Sequence, residues 1–433
     1  MSFTVTKTAP AVITPSEPTP SGHILPLSFF DRLPFLRVFL VDMIMVYGHG
    51  DQPAKVIKEA VAKALVHYYP LAGRLTTDTD DGELSVACTG EGVWFVEATA
   101  DCRMEDVNYL QVEPLMIPKE QILPSHPEGV DPYTLPFMIQ VTQFRCGGFT
   151  FATRANHAVF DGIGAGQIKV AIGEMARGLK HPTVKPVWCR DVIRKPIPSQ
   201  ISATEPHDTD LSSIPDLKFT NNQTNIECCS FDLSLDHINH LKDHFAKEVG
   251  KICSVFDVIA AKLWQSRTRA IGLQPQTEVS LTFLLNIRQV VLHNELPPDG
   301  GYYGNCLVPL INKAPSGQIA NAPLFEIVRL IKEAKDDLLS KDSASLIGEM
   351  PPYKKPSYAD LSIVDWRRLG LYEADFGWGG PMFLVPLNEH TVTSCSTYLF
   401  KSPVASKKDV RLVTYCIVKE HLEAFRDEMN DFT

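Results

Sequence analysis

A mixed α/β (α+β) fold in two domains of comparable size follows from three observations. The chain has 433 residues, enough for two large domains. Segments with strand-like and helix-like apolar spacing are interleaved, and the series occurs twice. Between the two series lies a Pro-rich stretch with no clear periodicity, carrying Pro182, Pro186, Pro196, Pro198, Pro206 and Pro215 among Ser, Thr and Asp. The division expected is residues 1–180, a connection over 181–225, and residues 226–433.

In chain order, Asp51–Tyr69 reads as a helix, because Val56, Ile57, Ala60, Val61, Ala64 and Leu65 recur with helical spacing. Asp51 is a candidate cap, Pro53 suits the first turn, and Pro70 stops the helix. Glu83–Thr99 alternates around "TGEG" and reads as a hairpin. Phe137–Phe144 and Phe149–Phe160 read as a second hairpin across "RCGG". In its second strand Phe149, Phe151, Thr153, Ala155 and His157 share one side, so His157 stands at a strand end. A glycine turn follows, then a helix over Gln167–Gly178.

The second half restarts with the strand "ECCSFDLS" and a helix whose buried stripe is Ile238, Leu241 and Phe245. Another helix opens where Ser254 and Asp257 have capping-box spacing. Glu278–Arg288 reads as a strand, "GGYYGNCLVPLI" as a turn entering a strand, and Leu324–Ser340 as a long amphipathic helix. "EADFGWGGPMFLVP" packs glycines and aromatics between strands.

Composition narrows the partners. The formal net charge is −10, which argues against nucleic acid or an anionic membrane. The ten cysteines are scattered with no C-x-x-C pair, which points to a reducing, cytoplasmic setting rather than a disulfide framework or zinc site. No signal peptide or membrane span is read from the N-terminal segment or from "LPFLRVFLVDMIMVYG", which Arg37 and Asp42 interrupt.

The chemistry concentrates in "NHAVFDGIGAG", Asn156–Gly166, which admits four readings. His157 and Asp161 are a possible metal pair, although no third ligand has close spacing. Strand, glycine turn and helix resemble a dinucleotide site, but the pattern is G-x-G-x-G and no Walker lysine follows. A core histidine beside a turn aspartate is the plain structural reading. A general base at a strand end is the fourth: a neutral imidazole accepts a proton at neutral pH, and the small Gly164, Ala165 and Gly166 admit a substrate to the backbone. His237, His240 and His244 also share a helix face, flanking an apolar stripe, and read as a solvated surface.

In company the motif becomes specific. H-x-x-x-D-G (His157, Asp161, Gly162), "DFGWG" (Asp375, Phe376, Gly377, Trp378, Gly379) and "YPLAGRL" (Tyr69–Leu75) together resemble the plant BAHD acyltransferases. The likeness runs from about Phe3 to Phe432. "CTGEGVWFVEA" and "GGYYGNC" look most like the branch of alcohol acyltransferases, benzoyltransferases and monolignol hydroxycinnamoyltransferases.

The resemblance implies two chloramphenicol-acetyltransferase-like domains with a channel between them, no resident cofactor or metal, and acyl-CoA as co-substrate. It implies His157 as general base, with Asp161 and Asp375 completing the catalytic signature. Asp161 has a structural part there, paired with Arg288, and "DFGWG" is a structural loop. Ser254 matches a position near coenzyme A. The expected reaction moves an aromatic acyl group, hydroxycinnamoyl or benzoyl, onto an alcohol such as a monolignol or aromatic alcohol, in a monomeric enzyme. An acetyl donor or an amine acceptor is the alternative within the family. A nucleotide-dependent oxidoreductase and a silent binding protein are the alternatives outside it.

Overall fold

The computed structural model describes residues 3–78, 82–111, 115–190, 193, 219–220, 223–224, 226–292, 300–341, 345–346, 357–387, 395–402, 409–430 and 432. Most of the expected connection, 181–225, lies outside the described residues. The first half runs β1 (Val5–Lys7), β2 (Ala11–Ile13), β3 (Ile24–Pro26), β4 (Leu40–Tyr47), α1 (Pro53–His67), β5 (Arg74–Thr76), β6 (Ser85–Ala87), β7 (Val93–Ala100), α2 (Lys119–Ile122), β8 (Phe137–Gln143), β9 (Phe149–Asn156) and α3 (Gly162–Ala176). Then come β10 (Phe219–Thr220), β11 (Gln223–Thr224), β12 (Ile226–Leu233), α4 (Leu235–Val249), α5 (Val255–Ile271), β13 (Glu278–Asn286), α6 (Arg288–Val291), β14 (Leu307–Pro315), α7 (Ser316–Asn321) and α8 (Leu324–Ser340). The chain ends with β15 (Asp360–Asp365), β16 (Phe383–Pro386), β17 (Ser396–Lys401), β18 (Val410–Val418) and α9 (Leu422–Asn430).

The chain forms two units, and neither is continuous. The first contains Met1–Lys195, Leu292–Cys306 and Arg368–Asn388; the second contains Pro196–Val291, Leu307–Arg367 and Glu389–Thr433. A single cut near residues 181–225 therefore misplaces "DFGWG". Its strand β16 pairs antiparallel with β4, Phe383 opposite Val46, in the first unit's sheet. The start of the Pro-rich stretch also packs into that unit: Val187 donates its amide to Gly301 and accepts from Tyr303.

In the first unit a seven-stranded sheet has the order β1-β7-β8-β9-β4-β16, with β2 also on β7. The β8–β9 hairpin forms as expected, Phe137 opposite Ala155. Its strands are buried nearly throughout, because β9 is central and covered on both faces. The hairpin expected around "TGEG" does not form. β6 joins β3 and β5 in a small sheet of three strands, while β7 pairs parallel with β8. Helix α1 starts at Pro53 without an Asp51 cap: Gln52 takes the N-cap place, left-handed at φ 46°, and no side chain caps the helix.

The second unit is a six-stranded sheet, β12-β18-β17-β15-β13-β14, parallel between β13, β15 and β17. Helix α5 is buried along most of its length. Two of its buried polar side chains are matched: Gln265 Nε2 donates to the carbonyls of Ile319 and Ala322 at 3.1 and 2.8 Å, and Arg267 donates to those of Cys416 and Tyr358. The expected capping box is complete. Ser254 Oγ accepts from the Asp257 amide at 3.1 Å, and Asp257 Oδ2 accepts from the Ser254 amide at 2.8 Å. No helix among the described residues is long and apolar enough to cross a membrane.

Candidate active site

The end of β9 is secured before His157 is reached. Asn156, its last residue, is fully buried. Its Nδ2 donates to the carbonyls of Arg37 (2.9 Å) and Tyr133 (3.0 Å), and its Oδ1 accepts from the Ala158 amide at 2.9 Å. The His157 amide donates to the Phe39 carbonyl at 2.9 Å. The Phe39 ring stacks on the imidazole with centroids 5.4 Å apart and planes 26° apart.

His157 is half-buried, and its Nδ1 is enclosed with no hydrogen-bond partner of regular geometry. Burial pulls its pKa below the ordinary 6.5; its own carbonyl, Asp161, the Asn305 side chain and Asp31 oppose that shift without cancelling it. Desolvation wins, so the ring is mainly neutral at pH 7 and competent to accept a proton.

Asp161 is the N-cap of α3, only 1% exposed. Its Oδ1 accepts from the amides of Ile163 and Gly164, both at 3.1 Å, and its Oδ2 from the amide of Cys306 at 3.2 Å. The expected glycine turn is therefore the first turns of the helix, which starts at Gly162 rather than Gln167. A dinucleotide site is disfavoured on this geometry: the amides a phosphate needs are taken, and the buried carboxylate repels an anion.

The glycines answer to packing rather than to substrate access. A Cβ on Gly166 would stand 1.6 Å from the Leu369 carbonyl oxygen, and one on Gly173 2.6 Å from that of Asp375. The segment carrying "DFGWG" lies directly against α3. Asp375 Oδ1 accepts from the amides of Gly377 and Gly379, both at 2.8 Å, and the carboxylate lies 3.7 Å from the Arg177 guanidinium. Phe376 packs on Tyr47 and Phe151, Trp378 meets the edge of Phe149, and the Tyr47 hydroxyl donates to the Ala374 carbonyl at 2.8 Å. Asp375 folds its own loop.

Phe160 is 4% exposed, packed between Phe137 and Tyr303 as a core residue. In the second unit Arg288 opens α6, its amide and Nη1 donating to Asn286 Oδ1 at 3.1 and 3.3 Å. Ser254 is exposed at the start of α5. His237, His240 and His244 lie on the exposed face of α4, where His244 sits 3.8 Å from Glu248.

Sequence reasoning passed over Asp31, Arg190 and Asn305, which are 0%, 1% and 4% exposed. Asp31 accepts from Arg190 Nη1 at 3.1 Å and from the Asn305 amide and Nδ2 at 2.7 and 2.8 Å; Nδ2 also donates to the His157 carbonyl at 2.8 Å. The available signal was a lone acid inside "LPLSFFDRLPFLRVFLV", since a charge in so apolar a stretch needs a buried partner.

A family model described as Transferase family matches residues 3–432. The myricetin 3-O-glucosyl 1,2-rhamnoside 6'-O-caffeoyltransferase of Crocosmia x crocosmiiflora is 96% identical over 433 residues, covering 100% of both chains. Among solved structures, vinorine synthase shares the fold with a TM-score of 0.71 at 20% identity, covering 99% of this chain and 98% of that one. F. sporotrichioides TRI101, complexed with coenzyme A and T-2, does so with a TM-score of 0.69 at 15% identity, covering 95% and 99%. With the family model spanning nearly the whole chain and a near-identical relative spanning all of it, the chain belongs to the Transferase family, the plant BAHD acyltransferases.

Proposed function

We propose that this acyltransferase moves a hydroxycinnamoyl group, caffeoyl foremost, from coenzyme A to a sugar hydroxyl of a flavonol glycoside. The observation that carries the chemistry is His157: a largely neutral imidazole, stacked on Phe39 at the end of β9. The acyl group and acceptor follow the Crocosmia caffeoyltransferase, so a glycoside hydroxyl replaces the monolignol that the family resemblance implied. Coenzyme A as donor is supported by the complex of TRI101, which shares the fold.

With Nδ1 enclosed, Nε2 is the nitrogen left to meet the acceptor. It takes the hydroxyl proton as the oxygen attacks the thioester carbonyl. The tetrahedral adduct then collapses, the C–S bond breaks, and the proton passes to the departing sulfur, giving ester and free coenzyme A. Asp161 serves as an anchor. Ser254 is our candidate for a coenzyme A contact, supported by its exposed place at a helix start. A cytosolic, monomeric enzyme is part of the same reading, and the ten free cysteines suit a reducing compartment.

The test is free-thiol release by purified protein with caffeoyl-CoA and a flavonol glycoside. Release that needs both substrates is expected, and His157→Ala should lower it by at least ~100-fold while the thermal midpoint holds. Full turnover in that variant would remove His157 as the base.

A further inference from the structure

We infer that Asn305, locked in orientation by the buried Asp31 carboxylate, is the positioning residue that holds the His157 main chain and so aims its imidazole at the acceptor hydroxyl. The inference rests on His157 as the base.

A side-chain amide can be turned either way, and only its surroundings decide. Here the decision belongs to Asp31. Its carboxylate receives five donors: the amide and hydroxyl of Ser28 at 3.0 and 2.7 Å, Arg190 Nη1 at 3.1 Å, and the Asn305 amide and Nδ2 at 2.7 and 2.8 Å. An ionised carboxylate, paired here with a guanidinium, only accepts, so the NH2 end of Asn305 must face it. The second hydrogen of that NH2 group reaches the His157 carbonyl at 2.8 Å. Reversing the amide would set its oxygen against both the carboxylate and the carbonyl.

The next residue completes the brace. The Cys306 amide donates to Asp161 Oδ2 at 3.2 Å. Two consecutive residues therefore grip the two signature positions, one by its carbonyl and the other by its carboxylate. Arg190 adds a third hold, its Nη2 donating to the Val159 carbonyl at 2.6 Å between them. The loop from His157 to Asp161 is thus fixed from outside by groups 31 to 148 residues away in sequence. The Asn305 side chain is also among the groups that favour the charged imidazole, which links its position to the basicity of the ring.

The experiment compares Asn305→Ala with wild type and with His157→Ala, using the pH profile of kcat/KM and the separate KM values of acyl-CoA and acceptor. Asn305→Ala should lose about 10- to 100-fold in kcat, keep both KM values within about threefold, and shift the acid limb to lower pH. A purely structural residue would reduce the active fraction without moving the limb. An unchanged limb and kcat beside a silent His157→Ala would overturn the positioning role alone. Activity in His157→Ala would instead overturn the base itself. Should Asn305→Ala not fold, 15N shifts of the imidazole in wild-type enzyme, assigned by their loss in His157→Ala, carry the test. One fixed tautomer with the proton on Nδ1 is expected, and a ring averaging between tautomers would overturn the inference.

Discussion

Helices α3 and α5 both begin at a polar cap, yet their N-termini do opposite things. At α3 the cap is a buried carboxylate, Asp161, whose oxygens are spent on two amides of its own helix and one amide of another segment. At α5 the cap is an exposed serine, and the acid behind it, Asp257, is held by Lys335 at 2.7 Å. Lys242 and Lys332 add positive charge beside Cys253, the residue before the cap. The contrast separates two uses of one device. A helix start closed by its own carboxylate is an anchor, whereas one left exposed among cations is suited to an anion.

The largest effect should come from opening the closed start. Asp161→Ala strands three amides that now have a charged acceptor, two of them buried, at a cost of about 3 kcal/mol. The variant should show a much lower denaturation midpoint together with lost turnover. A midpoint near that of wild type would mean that the α3 start is not an anchor.

A smaller effect lies within α3. Lys169 is 1% exposed, and among the described residues its Nζ donates one 3.3 Å bond, to the Ala165 carbonyl, and lies 5.8 Å from the Phe137 ring centroid. Desolvation pulls its pKa from 10.5 down to about 7. Between those values the unfolded chain binds the extra proton, so folding stability rises with pH across that window. Lys169→Met fills a similar volume and removes the penalty. Its thermal midpoint should exceed that of wild type by a few degrees (about 2–4 °C) at pH 6–7, with the gain fading toward pH 10. A gain that does not vary with pH would show that the amine is hydrated in the folded state.

Legibility in the sequence followed the range of the interactions. The β8–β9 hairpin, the placement of His157 at a strand end and the Ser254–Asp257 box all rest on neighbours within a few residues, which periodicity and cap chemistry report. The glycines were visible, but their cause was not. Gly166 answers to Leu369 and Gly173 to Asp375, roughly two hundred residues away, and spacing carries no trace of such a contact. The same blindness hid the Asp31–Asn305 pair, 274 residues apart, and the return of β16 to the first sheet. The family resemblance supplied the role proposed for His157, but not the brace behind it.

The smallest effect tests the open start. Ser254→Ala removes a neutral cap and leaves Asp257 bound to Lys335, so stability should fall by only about 1 kcal/mol. If the α5 start meets the phosphates of coenzyme A, the KM for caffeoyl-CoA should also rise, by about threefold to tenfold, with the acceptor KM unchanged. Neutralising Lys332 should raise the same KM, and added salt should shrink the difference, since screening weakens exposed charges first. A lower midpoint with both KM values unchanged would make Ser254 a plain cap. The cationic surroundings of α5 would then serve only to hold Asp257, and the donor's phosphates would have to be sought on another element.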